Sequence, residues 1–476
     1  MRNTTIEVFV ISDLHVGGEH PSSETARGFR ICNHIEMLTR FVEQLTSLDL
    51  GGRDLELVIN GDFVDFLAEE HGGHFYPFLW DDERASATLD LIARRERLFF
   101  EALAEFVKNG GRLTLLLGNH DVELSFPRVR ARLECILGVR EISRFRFLYD
   151  GEAYSVGDVL IEHGNRYDGF NVINHDRLRR VRSLQSRGLP VSTDSFTPPP
   201  GSLLVSNIIN PMKKDYSFVD LLKPETEAVI PILLALDPRF RKHAWEAWRH
   251  KRSAAKHAPV APATPAYGGD ISANTRGGTQ HDELESMLLD LMGEQSFKKY
   301  RQGVLSSEFS YGGDVASGDA GRRSLLRLFA SRPSTSLEDR MVSLLEAVRC
   351  LRHDRSFDRG FELPEYLEHA QAMAVGRFRH VVFGHTHLAK RVDMGDGKMY
   401  INTGTWADII RFPSEILSQS EAVARDSMYG FVQDLASGDL RPWVRFCPTY
   451  AQLTIQDEEC ISAKLQEFDG SINVEV

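Results

Sequence analysis

The first 165 residues alternate short apolar runs with longer segments in which apolar positions repeat at helical spacing. The apolar runs have the length of buried strands and lie at 6–12, 55–60, 112–118 and 158–164. The helical patterns between them lie at 24–48, 85–111 and 128–138. Alternation of this kind predicts an α/β fold in which helices cover a sheet.

The pattern changes after residue 169. A basic helix is predicted at 174–187, and the further predicted helices lie near 218–236, 282–302 and 337–352. The segment 253–280 is rich in Ala, Pro, Gly and Thr, which predicts an extended loop. We therefore predict a mostly helical insertion or cap at residues 170–376.

The core pattern returns after this segment. It begins with "RHVVFGHTH", in which 381–383 is predicted to be a buried strand, and continues through 398–406; the pair 429–435 and 440–446 is predicted to form a closing hairpin. The simplest organisation is one α/β core made of residues 1–169 and 377–476, interrupted by the insertion.

Composition excludes several classes of protein. Hydrophobic residues make up 42% and charged residues 26%, as in ordinary globular proteins. The net charge of −12 argues against a surface that coats nucleic acid. The sequence has no apolar run of about 18 residues and no signal-peptide pattern, so we expect a cytoplasmic protein without a membrane span. The five cysteines are scattered and lack CxxC spacing, which predicts neither disulfides nor a cysteine zinc site.

Polar side chains suited to metal binding follow five of the predicted strands. They are Asp13 and His15 in "ISDLH", Asp62 in "INGDFVD", Asn119 and His120 in "LLGNHD", His163 in "IEHGN", and His385 and His387 in "FGHTH". Each motif alone is ordinary turn chemistry. Together they are informative, because ligands of open α/β sheets collect at the carboxyl ends of strands.

The donor set also indicates the chemistry. Carboxylate, amide and imidazole ligands suit Mn, Fe, Zn or Co better than Mg or Ca. Asp62 has two carboxylate oxygens and could bridge two cations, which in dinuclear sites clamp an in-line phosphoryl displacement. His385 and His387 would share one face of a strand, but Gly384 favours a loop in which each ring reaches a different ion.

The ordered series D-x-H, G-D, G-N-H-D, H-G and G-H-T-H resembles the calcineurin-like metallophosphoesterase superfamily over residues 5–168 and 378–410. The resemblance implies a β-sandwich flanked by helices and a hydrolase with two divalent transition metals, manganese first among them. It implies one ion held by Asp13, His15, Asp62 and His387, and a second held by Asp62, Asn119, His163 and His385. It further implies that His120 contacts the phosphoryl group and that Asp121 orients His120.

Among subfamilies, the layout is similar to the UDP-2,3-diacylglucosamine diphosphatase branch, which also has a helical lid before G-H-T-H. This chain has His120 where that branch usually has Arg, and its insertion is much larger. The likeness implies hydrolysis of a phosphodiester or pyrophosphate bond by a metal-bridging hydroxide. The substrate would be a phosphorylated small molecule or a lipid-linked one.

Three alternatives stay open: a phosphomonoesterase, a nuclease and a non-catalytic scaffold on the same fold. Arg166 and Tyr167, just after "HGN", are candidate phosphate contacts, with a surface ion pair as the alternative for Arg166. Asp65 is predicted either to accept from a metal-bound histidine or to cap a helix. The five arginines of 176–187 have three alternative interpretations: a solvated helix face, a surface that guides an anionic substrate, or a contact with lipid headgroups. The oligomeric state does not follow from the sequence.

Overall fold

The structure is a computed structural model that describes residues 5–20, 29–139, 143–223, 225–237, 240, 320–331, 334–349, 351 and 354–472. The loop predicted at 253–280 and the helix predicted at 282–302 lie outside these residues. The strands are β1 (Thr5–Ile11), β2 (Asp54–Asn60), β3 (Arg112–Leu116), β4 (Phe145–Leu148), β5 (Tyr154–Val156), β6 (Val159–Ile161), β7 (Leu222–Lys223), β8 (His380–Phe383), β9 (Lys390–Gly395), β10 (Lys398–Asn402), β11 (Ile409–Arg411), β12 (Val444–Arg445), β13 (Thr449–Gln456) and β14 (Glu459–Glu467).

The α-helices of the described residues are α1 (Ile35–Ser47), α2 (Asp82–Arg95), α3 (Arg97–Lys108), α4 (Pro127–Ile136), α5 (His175–Gln185), α6 (Pro200–Leu204), α7 (Asn210–Lys213), α8 (Glu225–Leu236), α9 (Ala320–Ala330), α10 (Leu337–Val348), α11 (Pro364–Met373) and α12 (Glu421–Ser437). In the part of the chain that is described, no helix combines the length and the apolar character needed to cross a bilayer.

The chain forms two compact units. The first comprises residues 1–206, 355–408 and 446–476, and the second comprises 207–354 and 409–445. The domain boundaries predicted from the sequence, after residues 169 and 376, stay predictions.

Two sheets make up the centre of the first unit. The six-stranded sheet has the order β14-β13-β1-β2-β3-β4, with β1 to β4 parallel and β13 antiparallel to β1. The five-stranded sheet has the order β5-β6-β8-β10-β9, with β6, β8 and β10 parallel. The parallel strands of each sheet therefore end at one common edge.

The alternation of side chains along β1 shows how the layers pack. Val8 and Val10 face the five-stranded sheet and share a core with its apolar residues. Phe9 and Ile11 point the opposite way, into a core shared with the helices α1 to α4. On the outer face of the second sheet, α11 packs against β8 and β10. These layers confirm the predicted β-sandwich flanked by helices.

The second unit is an extra region with its own small sheet. Its strands have the order β12-β11-β7, with β11 parallel to β7 and antiparallel to β12. Helix α10 packs against α8, α9 and α12. Its described residues are mostly helical.

The predicted closing hairpin at 429–435 and 440–446 is wrong. Residues 421–437 form helix α12, whose buried side chains Met428, Phe431, Val432 and Leu435 recur at helical spacing. The hairpin that closes the chain is β13–β14 instead. The patterns at 24–48 and 85–111 also differ from the structure: the first helix begins only at Ile35, and the second segment is divided at Glu96 into α2 and α3.

The aromatic cluster around Phe41 gives a test of this core. Its ring is fully buried and lies 5.0 to 5.2 Å from the rings of Trp406, Tyr450 and Phe468. We predict that Phe41→Ala lowers the free energy of unfolding by about 3–5 kcal/mol, because it leaves a cavity. Denaturant titration should show this loss, whereas Leu98→Ala on the exposed face of α3 should change little. Equal midpoints for both variants would contradict the assignment.

Candidate metal centre

The predicted ligands occupy loops at one edge of the two sheets. They are Asp13 and His15 after β1, Asp62 after β2, Asn119 after β3, His163 after β6, and His385 and His387 after β8. Because β1 to β3 are parallel and β6 is parallel to β8, each loop lies at the carboxyl end of its strand. All seven residues belong to the first unit.

The backbone of these loops is strained at the ligands themselves. Positive φ angles of 47° to 70° occur at five of the seven: Asp13, His15, Asp62, His385 and His387. A non-glycine residue in this region costs about 1–3 kcal/mol and persists only where its surroundings hold it. His385 and His387 therefore lie in a turn rather than on one strand face, as the glycine before them indicated.

The first group of candidate ligands is Asp13, His15 and His387. Their ligand atoms lie within 4.8 Å of one another. The Nε2 atoms of His15 and His387 are 3.0 Å apart, and Nε2 of His387 lies 3.5 Å from Oδ1 of Asp13. Asp13 and His15 are buried. This group therefore combines donor atoms from a loop of the six-stranded sheet and a loop of the five-stranded sheet.

The second group is Asp62, His163 and His385, again with ligand atoms within 4.8 Å of one another. Nε2 of His163 lies 3.3 Å from Oδ2 of Asp62 and 3.3 Å from Oδ1 of Asn119. Nδ1 of His163 is 2.8 Å from the carbonyl oxygen of Asn60, to which it can donate. That hydrogen bond places the ring proton on Nδ1 and leaves the Nε2 lone pair for an ion.

Asp62 lies between the two groups. Its Oδ2 is 3.7 Å from Nε2 of His15 and 3.3 Å from Nε2 of His163. Its Oδ1 accepts a hydrogen bond of 2.8 Å from the backbone N–H of His120. Burial by itself raises the pKa of this carboxyl, but His163 and the other neighbouring rings outweigh burial and hold the pKa well below its usual range.

Asp65 contacts two of the histidines. Its Oδ1 lies 3.1 Å from Nδ1 of His120, and its Oδ2 lies 3.5 Å from Nδ1 of His15. Burial raises the pKa of Asp65, but His120 and then His15 outweigh burial, so that the pKa is lowered. Asp65 therefore contacts His120, which is not among the predicted ligands, and at a longer distance the predicted ligand His15; it also accepts from the N–H of Ala68. Its predicted role toward a metal-bound histidine stays a prediction.

Asp121 does not contact the His120 ring as expected. Its carboxylate accepts hydrogen bonds from the backbone N–H groups of Phe63 and Gly118 at 2.8 and 2.7 Å. Burial raises its pKa to about 7. Asp121 therefore holds the turn after β3 through backbone groups, and the carboxylate at Nδ1 of His120 is that of Asp65, from the neighbouring loop.

Asp168 was not predicted from the sequence. Its Oδ2 lies 3.0 Å from Nε2 of His385. Burial raises the pKa of Asp168, but the hydrogen bond to His385 outweighs burial and lowers it. A signal was present, because Asp168 follows the H-G motif by four positions in "HGNRYD". A carboxylate on Nε2 would direct Nδ1 of His385 toward an ion.

Arg166 and Tyr167, the predicted phosphate contacts, both face Glu162. The Arg166 side chain is 47% exposed, with Nε 3.4 Å from Glu162 and a further hydrogen bond to the carbonyl oxygen of Gly151. Tyr167 donates to Glu162, and its ring stacks on Phe383. These contacts match the surface ion pair considered for Arg166, and phosphate binding by either residue stays a prediction.

Two glycines leave room that the ligand loops require. A Cβ on Gly118 would lie 2.0 Å from Oδ1 of Asp62. A Cβ on Gly384 would lie 2.6 Å from Oδ2 of Asp13. Both distances are far below van der Waals contact, so neither position accepts a side chain without displacing a ligand.

The donor geometry fits divalent transition cations. In the first group, Nε2 of His15 and Nε2 of His387 lie 3.0 Å apart beside the carboxylate of Asp13, a separation expected of two ligands of one ion. The second group has the same mixture of nitrogen and oxygen donors. Burial raises the pKa of Asp13, with the Asp62 carboxylate adding to the effect. Cations would neutralise this buried charge.

Residues 6–233 match the family model described as calcineurin-like phosphoesterase. No curated protein matches the chain. The matched segment contains Asp13, Asp62, Asn119 and His163 but ends before His385 and His387. The fold therefore completes the centre with residues outside the matched segment.

The contact of Gly118 with Asp62 generates a test. We predict that Gly118→Ala lowers metal affinity and hydrolysis by about 10–100-fold, because the added methyl group displaces the shared carboxylate. Bound metal can be measured by elemental analysis after dialysis, with circular dichroism as the check on folding. Gly430→Ala in α12, where a Cβ meets nothing within 4 Å, is the control. Unchanged metal content in folded Gly118→Ala would contradict the prediction.

Proposed function

We propose that this chain cleaves a phosphodiester or pyrophosphate bond by in-line attack of a hydroxide that bridges two metal ions. The match of residues 6–233 to the calcineurin-like phosphoesterase model indicates a metal-dependent phosphoric ester hydrolase. One ion would be held by Asp13, His15, Asp62 and His387. The other would be held by Asp62, Asn119, His163 and His385. Manganese is the proposed metal.

The position of Asp62 carries this proposal. One of its oxygens faces a nitrogen of each group, at 3.7 Å from His15 and 3.3 Å from His163. A carboxylate placed in this way can be shared by two cations. Two cations so placed would supply a nucleophile near neutral pH and offset the negative charge of the phosphoryl group.

His120 is the proposed contact to the reacting phosphoryl group. Its side chain is 19% exposed, its ring lies edge-on to His15 with centroids 4.6 Å apart, and Asp65 accepts at its Nδ1. A carboxylate at Nδ1 orients the ring and stabilises its protonated form. The protonated ring can bind a phosphoryl oxygen and donate a proton to the leaving oxygen.

The diester or pyrophosphate preference rests on the likeness to the diphosphatase branch. A phosphomonoesterase would use the same centre. A nuclease is disfavoured by the net charge of −12, because nucleic-acid backbones attract basic surfaces. A scaffold would not need the retained set of ligands and the His120–Asp65 pair.

Two substitutions separate metal binding from proton transfer. We predict that Asp62→Asn lowers both bound metal and hydrolysis, because the shared carboxylate is lost. We predict that His120→Ala keeps its metal but lowers kcat by about 10²–10⁴-fold, the usual contribution of a general acid. Elemental analysis and steady-state rates measure the two effects.

The control for the second variant is His74→Ala, which removes an exposed imidazole. Full activity in both folded test variants would contradict the assigned centre. Loss of metal in His120→Ala would make His120 a ligand rather than an acid.

The substrate class can be tested with Mn²⁺ present. We predict a higher kcat/KM for bis-p-nitrophenyl phosphate and for sugar nucleotides than for p-nitrophenyl phosphate, and no cleavage of single-stranded DNA. Asp62→Asn run in parallel controls for contaminating phosphatases. A higher kcat/KM for p-nitrophenyl phosphate would favour the phosphomonoesterase. Cleavage of DNA would favour the nuclease, and the absence of turnover with every compound would favour the scaffold.

A further inference from the structure

A second set of potential metal ligands lies at the other end of the sandwich. Asp158 directly precedes β6, His380 is the first residue of β8, and Cys460 is the second residue of β14. The pairing of Thr5 with Gln456 places the β13–β14 turn at the amino end of β1. The three residues therefore lie near the amino ends of the parallel strands, whereas the candidate metal centre lies at their carboxyl ends.

Backbone contacts hold the three segments together. The N–H groups of Arg379 and His380 donate to the carbonyl oxygen of Asp158 at 2.9 and 3.3 Å. The N–H of Cys460 donates to Oδ1 of Asp158 at 2.7 Å. The Asp158 carboxylate thus links the turn before β6 to the start of β14. The positions of the three residues are set by hydrogen bonds of backbone N–H groups rather than by long surface side chains.

The turn beside Cys460 is strained and tightly packed. Asp457 and Glu458 have φ angles of 49° and 69°, which non-glycine residues rarely adopt. A Cβ on Gly157 would lie 2.8 Å from the carbonyl oxygen of Glu458. Close packing of the two turns therefore brings Cys460 to Asp158 and His380, residues far apart in the sequence.

The side chains offer one sulfur, one nitrogen and one oxygen atom within 4.8 Å of one another. Nδ1 of His380 is buried and has no hydrogen-bond partner among the described residues. A buried polar atom without a partner costs about 1–3 kcal/mol, so it calls for an explanation. A bound cation would supply the missing partner.

We propose that Asp158, His380 and Cys460 form a separate binding site for a zinc-type divalent cation that links the five-stranded sheet to β14. Sulfur, imidazole and carboxylate ligands in one small cluster are typical of zinc and cobalt, and three protein ligands leave a fourth position for water. The site is separate from the candidate metal centre, because the two share no ligand.

Binding at this site must release a proton. Burial, with Asp158 adding to the effect, raises the pKa of the Cys460 thiol to about 12, so the thiol is protonated in the metal-free protein. The Sγ–H bond breaks, the thiolate coordinates the cation, and the proton passes to solvent. No oxidation or reduction takes place.

Cobalt is a probe that distinguishes this site from the catalytic centre. Co²⁺ bound to a thiolate has a sulfur-to-metal charge-transfer band in the near ultraviolet, and oxygen and nitrogen ligands do not produce it. We expect the chelator-treated full chain to develop this band on titration with Co²⁺ and to lose it when Zn²⁺ is added. The band should be absent in Cys460→Ser and retained in Cys447→Ser, which replaces another half-buried cysteine.

His380→Ala should weaken Co²⁺ binding, measured from the titration of this band, by at least roughly tenfold. Even the loss of a residue that only hydrogen-bonds to a metal ligand lowers metal affinity by that factor. A missing band at saturating Co²⁺, or a band that survives in Cys460→Ser, would overturn the proposal.

Discussion

The shared carboxylate of Asp62 is the interaction on which the candidate metal centre depends. It comes from the six-stranded sheet, yet Oδ2 faces histidines that follow β1 and β6, one from each sheet. Its Oδ1 is held by the N–H of His120, so the ligand and the proposed phosphoryl contact are fixed together. Moving this one group would disturb both ligand sets and His120 at once.

The strained loops around it are held by a dense set of hydrogen bonds. The backbone N–H of His385 donates to both oxygens of Asp13, at 3.0 and 2.9 Å. Asn402 donates to the carbonyl oxygen of Gly384 at 2.7 Å, and Thr405 donates to the carbonyl oxygen of Asp13 at 2.7 Å. The strain at the ligands is thereby offset by contacts among Asn402 at the end of β10 and the loops that follow β1, β8 and β10. These contacts fix the ligand loops relative to one another.

Much of the fold could be read from residue patterns, and the exceptions have physical causes. The strands β1, β2 and β3 were predictable because continuous apolar runs are required where a sheet is covered on both faces. Helix α12 was mistaken for part of a hairpin because a run as short as "YGFVQDL" fits the repeat of a strand as well as that of a helix. Only the burial of its side chains distinguishes the two. Helices α2 and α3 meet at Glu96, a buried residue that pairs with Arg30 at 3.2 Å, and no local pattern records this contact.

Residue patterns alone were enough to place carboxylate, amide and imidazole side chains after the predicted strands, and therefore to name the donor types of the candidate metal centre. They could not decide which acid faces which histidine. The family resemblance implied Asp121 for His120, but the Asp121 carboxylate accepts from the N–H of Gly118, and it is Asp65 that lies 3.1 Å from Nδ1 of His120. Nor could spacing reveal the cluster of Asp158, His380 and Cys460, since scattered cysteines predict no metal site. Only the closure of the β13–β14 turn against the start of β6 brings those three together, because sheet packing sets distances that sequence separation does not.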